Sequence, residues 1–239
     1  MNKKIFTLLF SLLLSAVYAQ EVKVSTGKVI RFSNFKSQFV DTRNIDVWLP
    51  DDYSNNEKYA VLYMHDGNML YDAESTWNKQ AWEVDEVAGK LIDQGKTQKF
   101  IVIGIWNNGA KRHPEYFPQK PYESLSQIQK DTVTARLKKS GKTTEVFKPY
   151  SDLYLKFLVT ELKPFIDKTF NTKRDKKHTF IAGSSMGGLI SMYAICEYPK
   201  IFGGAICLST HWPGIFLVEN NPIPDSFVLY LKENLPNPK

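Results

Sequence analysis

The sequence predicts an α/β fold, a mostly parallel sheet with helices on both faces, and three observations carry that prediction. Residues 59–64 (YAVLYM) and 100–105 (FIVIGI) are continuous apolar runs of strand length, the pattern of strands buried on both faces. Helix-period stripes follow them, one at Trp82, Val84, Val87, Ala88, Leu91 and Ile92 and another at Leu153, Tyr154, Phe157, Leu158, Leu162, Phe165 and Ile166. A third strand, residues 179–182, passes directly into glycines and a further helix over residues 189–197.

Taken in order, the chain opens on an export signal. Lys3 and Lys4 precede an apolar stretch from Ile5 to Val17, and Val17-Tyr18-Ala19 supplies the small residues of a cleavage site before Gln20. The stretch is too short to span a bilayer, so cleavage near Ala19 and a secreted or periplasmic protein without a stable membrane anchor are expected. Residues 20–239 then form a single domain. Residues 22–39 alternate about Thr26-Gly27 and read as an N-terminal antiparallel hairpin. Ile45, Val47 and Leu49 alternate with polar or exposed partners before Pro50 ends the strand. Pro164 predicts a bend in the helix over residues 153–170. Residues 118–149 are polar and lysine-rich, an insertion helical around 125–137 that reads equally as a lid or as a mobile surface loop. A last strand spans residues 205–209, and Asp225 is placed to cap a helix over residues 226–233.

The net charge of +6 is spread out, apart from clusters at Lys138, Lys139 and Lys142 and at Lys173, Arg174, Lys176 and Lys177. Neither cluster is interleaved with aromatics, so solvated loops are expected and nucleic acid is not. Cys196 and Cys207 sit in apolar contexts without metal-ligand spacing and read as buried free thiols, although export permits a disulfide. No metal and no cofactor are called for.

The chemistry concentrates at Gly183-Ser184-Ser185-Met186-Gly187-Gly188. A Gly-x-Ser-x-Gly pentapeptide is weak evidence alone, but here it follows a buried strand and opens a helix. A serine on so tight a turn needs small neighbours two residues away, which Gly183 and Gly187 supply. The Met186 N–H, at the start of the next helix, then faces the place where an oxyanion forms. A second donor is expected from the loop after residues 59–64, His65-Asp66-Gly67-Asn68-Met69, through the N–H of Asn68 or Met69, with the His65 ring holding the loop.

Four motifs stand in order along the chain: Tyr63-Met64-His65-Asp66-Gly67-Asn68; Thr76-Trp77-Asn78 leading to Trp82-Glu83-Val84-Asp85-Glu86; Arg112 with Glu115-Tyr116-Phe117-Pro118; and Gly183-Ser184-Ser185-Met186-Gly187-Gly188. Together they resemble the "putative esterase" branch of the α/β-hydrolase superfamily, which includes enterochelin esterases, S-formylglutathione hydrolase, feruloyl and acetyl-xylan esterases and mycolyltransferases. The resemblance covers most of residues 45–212. It implies an α/β-hydrolase fold, carboxylic ester hydrolysis through an acyl-enzyme on Ser185, and a pocket that His65, Asp66, Arg112, His211 and Trp212 could line. It tilts the substrate toward acyl groups on polysaccharide, with siderophore or small-molecule esters close behind.

A serine nucleophile needs a base and an acid. The resemblance implies an acid after the next strand and a histidine near the chain's end, whereas one histidine, His211, and the carboxylates Glu197, Glu219, Asp225 and Glu233 follow Ser185. No histidine follows Asp225, the one aspartate among them. His211 stands where the family has a pocket residue. The chain therefore reads as lacking the C-terminal strands that carry both groups; an inactive homologue and a rearranged site using His211 are the other readings. A non-catalytic carbohydrate- or ester-binding module is the alternative function, with Trp77, Trp82, Trp106 and Trp212 as stacking platforms. Core packing is the ordinary role expected for Trp77 and Trp82.

Overall fold

The computed structural model describes residues 22–215 and 219–237; the predicted export signal lies outside them. Among the described residues six strands form one sheet: β1 (Lys28–Phe35), β2 (Arg43–Leu49), β3 (Ala60–His65), β4 (Phe100–Ile105), β5 (Thr179–Ser184) and β6 (Gly204–Leu208). Their order across the sheet is β1-β2-β4-β3-β5-β6. The strands from β4 through β3 and β5 to β6 are mutually parallel, while β1 and β2 run antiparallel at the other edge.

The N-terminal hairpin exists but is placed differently from the expectation. It is β1 against β2, turning after Phe35, and the Thr26-Gly27 step precedes it. Gly27 has φ +70°, and the Thr26 carbonyl accepts the Trp48 indole N–H at 2.8 Å, so these residues brace the hairpin instead of turning it.

Alternation in β2 also has a different cause from the one expected. Ile45, Val47 and Leu49 join the core on one face, but Trp48 is fully buried on the other and Asp46 is buried between Arg31 and the Trp106 indole. The two faces thus form two cores. Helix α1 (Val84–Asp93) covers Trp48, Met64, Leu70, Tyr71, Val102 and Ala182. On the opposite face α2 (Arg112–Tyr116), α5 (Ser151–Phe157), α6 (Lys163–Thr169) and α7 (Met186–Glu197) pack on Val61, Tyr63, Ile101, Ile103 and Ile181. Strand β6 closes the sheet, with Ile206 and Leu208 about half exposed.

Between α5 and α6 the helix widens into a π-type turn over Leu158–Leu162, where the Lys163 N–H reaches the Leu158 carbonyl. Pro164 cannot donate, and the widened turn just before it absorbs the fault that the sequence predicts there.

The segment 118–149 is fastened to the body. It carries α3 (Gln119–Glu123) and α4 (Gln127–Lys139), the latter begun by a reciprocal Ser126/Gln129 capping box. Tyr122, Leu125, Val133, Leu137 and Phe147 are buried, and the Tyr122 hydroxyl donates to the Phe147 carbonyl at 3.0 Å. Its apolar spacing had been masked by lysines that point outward. The last helix, α8 (Ile223–Asn234), starts at Pro222, so Asp225 lies in its first turn and does not cap it.

Candidate active site

Ser185 stands between β5 and α7 with φ 58° and ψ −117°, a conformation rare for a residue with a side chain and costing on the order of 1–3 kcal/mol. Four backbone bonds hold it there. Its N–H donates to the Leu208 carbonyl at 2.9 Å, and its own carbonyl accepts from Gly188 at 3.0 Å, Leu189 at 3.3 Å and His211 at 3.1 Å. The exit of β6 is thereby tied to the turn, which puts His211 beside Ser185 along the backbone. At Gly183, a Cβ would come within 2.6 Å of the Gly187 carbonyl carbon and oxygen. Strand and helix therefore cross at a distance that only glycine permits. Gly183→Ala is expected to destabilise the chain by about 3 kcal/mol. Urea unfolding measures this, and an unchanged midpoint would mean that the crossing is looser than described.

The loop after β3 is the second component. Asp66 has φ 58° and ψ 45°, and Gly67 passes so close to Gly104 that a Cβ would lie 2.5 Å from its carbonyl carbon. The Met69 N–H donates to the Asp66 carbonyl at 2.8 Å and is taken up by that bond. Of the two amides considered for an oxyanion hole, Asn68 remains the candidate.

The loop's shape is set by charge. Arg112, on α2, grips both Asp66 oxygens at 2.7 Å, and Asn107 donates to Asp66 at 2.8 Å and to the Asn68 side chain at 3.2 Å. The Asp66 N–H donates to the Tyr116 hydroxyl at 3.3 Å. Asp66 is also near the turn of Ser185, since a Cβ on Gly187 would sit 3.6 Å from its Oδ2. Helix α2 is itself locked to the sheet, because Arg43 of β2 makes a fully buried two-pronged pair with Glu115 at 2.7 and 2.9 Å.

His65 is wholly buried. Its Nδ1 lies 2.8 Å from the Tyr154 hydroxyl and its Nε2 has no partner. Burial holds its pKa down at about 3, so the ring is neutral in all ordinary conditions. His113 is held at about 4 by burial first and then by Lys142, His211 and Arg112. His211 is half-buried and lowered by burial, opposed by a hydrogen bond with the Ile215 backbone. Trp212 borders an apolar cleft with Pro118, Leu189, Met192 and Phe227, to whose lining Asp66, Asn68 and Arg112 do not contribute.

The fold thus brings Ser185, Met186, His211, His65, Asp66, Asn68 and Arg112 to one end of the parallel strands. It adds Asn107, Tyr116 and Tyr154, to which the sequence assigned no role. Tyr154 belongs to a helix stripe that reads as core, and Asn107 follows a strand with nothing in its spacing to mark it. Cys196 and Cys207 are unpaired thiols. Among the described residues no group of three or more His, Cys, Asp or Glu side chains could hold a metal, and no helix is long and apolar enough to cross a membrane.

The chain is similar to known proteins in sequence and in fold. The profile of the family described as "Putative esterase" matches residues 37–225. The chain is 27% identical over 162 residues to the uncharacterized protein YbbA of Bacillus subtilis, covering 67% of this chain and 54% of YbbA. It is 25% identical over 209 residues to an endo-1,4-beta-xylanase/feruloyl esterase of Xylanibacter ruminicola, covering 82% of this chain and 24% of that protein. The chain therefore spans about half of YbbA and about a quarter of the second relative. Among solved structures, an IroE-like serine hydrolase from Shewanella oneidensis superposes with TM-score 0.57 at 22% identity, over 87% of this chain and 56% of that one. The enterochelin esterase of Shigella flexneri gives 0.53 at 17%, over 80% and 38%. With the profile matched over most of its length and with this sheet, the chain belongs to the "Putative esterase" family and has an α/β-hydrolase fold.

Proposed function

We propose that the chain carries the serine nucleophile of a secreted carboxylic ester hydrolase. The observation that carries this reading is the backbone of Ser185, a strained non-glycine residue held by four hydrogen bonds between a buried strand and a helix N-terminus. Ser185 Oγ would attack the ester carbonyl carbon, and the carbonyl π electrons would move to oxygen, where the N–H groups of Met186 and Asn68 stabilise the charge. Collapse would expel the alcohol, which takes up the serine proton through a base, and water would then release the acid from the acyl-enzyme. Acyl groups on polysaccharide are the favoured substrates, supported by the feruloyl esterase relative; siderophore-type esters come next. His211 lines the wall of this site.

A second reading, binding of an ester or carbohydrate without turnover, has its own support. Among the described residues, the histidine hydrogen-bonded to a carboxylate is His178, with Asp175 at 2.8 Å. That pair precedes β5, while Ser185 follows it, a separation of roughly 20 Å at 3.3 Å per residue. A fluorophosphonate separates the two readings. The acyl-enzyme reading expects covalent labelling of the purified chain and complete loss of label in Ser185→Ala; an unlabelled wild-type chain would overturn it and leave the binding reading.

A further inference from the structure

Trp77 departs from its expected place in the core: 85% of it is exposed, the highest value among the exposed large apolar side chains of the described residues. Trp82, five residues on, packs against the α1-side core as expected. An isolated exposed apolar residue would ordinarily need no explanation. The loop that carries this one does need one.

Trp77 occupies a turn whose Lys79 N–H returns to the Thr76 carbonyl at 3.4 Å. Thr76, directly before it, is buried, donates through Oγ1 to the Ala73 carbonyl at 2.8 Å and accepts from the Gln80 N–H at 2.9 Å. Lys79 and Glu83 both adopt left-handed backbone, φ 56° and 53°. Both ends of the loop are tied to the residues that follow Asp66-Gly67: Ser75 Oγ donates to the Asn68 carbonyl at 3.2 Å, and the Trp82 N–H donates to the Met69 carbonyl at 2.8 Å. Strained backbone at two residues, over-determined by hydrogen bonds, thus holds an indole in water on the same platform that presents Asn68. Strain of this kind persists where the geometry it enforces has a use.

We infer that Trp77 is a stacking platform for a sugar ring, a subsite for the carbohydrate part of an ester whose carbonyl is held at Ser185. The flanking groups select the ligand class. Asn78 and Gln80 are exposed amides, suited to hydroxyl groups around a ring whose C–H face lies on the indole. Lys79 is paired with Glu74 at 3.3 Å, and Asp72 and Glu83 leave the loop net acidic, so a neutral glycan fits better than a phosphate or carboxylate. One indole ringed by polar side chains is too small an apolar patch for a protein partner.

The inference rests on the polysaccharide-ester reading for its choice of sugar, but its test is independent of hydrolysis. Xylohexaose is titrated into the Ser185→Ala chain and followed by indole fluorescence and calorimetry. Saturable binding is expected, weakened about tenfold or more in a Trp77→Ala background, retained within about threefold in Trp77→Phe, and unchanged in an Ile128→Ala background, a second highly exposed site on α4. Equal affinity with and without Trp77, or no saturation up to about 10 mM, would overturn it. Fluorophosphonate labelling of the wild-type chain reports separately on Ser185.

Discussion

Glu115→Ala is expected to destabilise the fold by roughly 3–5 kcal/mol, a large share of the roughly 5–15 kcal/mol that holds a typical domain together. Arg43 and Glu115 are both almost wholly removed from water and joined by two bonds. Removing the carboxylate leaves a guanidinium in the core with the Asp41 carbonyl at 3.3 Å and the faces of Tyr154 and Phe157 as its remaining partners. The cost lies in the unpaired charge more than in the pair, so the neutral double replacement Arg43→Met/Glu115→Leu should recover most of it. Urea unfolding of both variants measures this. A Glu115→Ala midpoint close to wild type, or a double variant no better than the single one, would refute the account. The effect reaches the site because α2 carries Glu115, Arg112 and Tyr116 together, so the pair that locks α2 to β2 also positions the residues that hold Asp66.

Lowering the pH from 7 to 5 is expected to cost on the order of 3 kcal/mol of stability. His65 and His113 titrate at about 3 and about 4 in the folded chain, below their ordinary 6.5. Between those limits the unfolded chain binds protons that the folded one refuses, so stability falls as pH drops through 6.5, by roughly 2 kcal/mol per histidine at pH 5. Asp85 acts in the opposite direction. Burial, helped by the neighbouring Glu86 carboxylate that accepts from the protonated group, raises its carboxyl to about 6, so the folded chain takes up that proton first and regains roughly 1 kcal/mol. His113→Phe, which keeps an aromatic ring between Phe117 and Phe147, should remove about 2 kcal/mol of the pH dependence. Urea midpoints at the two pH values test this; equal slopes for wild type and His113→Phe would count against it.

Much of the fold was determined by the sequence alone. The runs at 59–64 and 100–105 appear within a residue of β3 and β4, because strands buried on both faces admit no polar residue and so announce themselves. The Ser185 turn was legible because strand, small residues and helix are contiguous in the chain. Local pattern failed where both faces of a strand or loop had uses that it does not encode. The alternation of β2 reads as one solvated face, yet Asp46 is buried because Arg31 of β1 and Trp106, just past the end of β4, arrive to satisfy it. Trp77 reads as core because tryptophans are usually buried, and only the fold of 72–83 turns it outward.

Tertiary structure alone decided the charge architecture around the candidate site. Asp66 meets Arg112 across 46 positions, Arg43 meets Glu115 across 72, and His65 meets Tyr154 across 89. Such contacts depend on the crossing of elements, and no short window of sequence specifies that. Periodicity records which side of an element is apolar; which charges face each other behind it is settled only when the sheet and its helices close on one another.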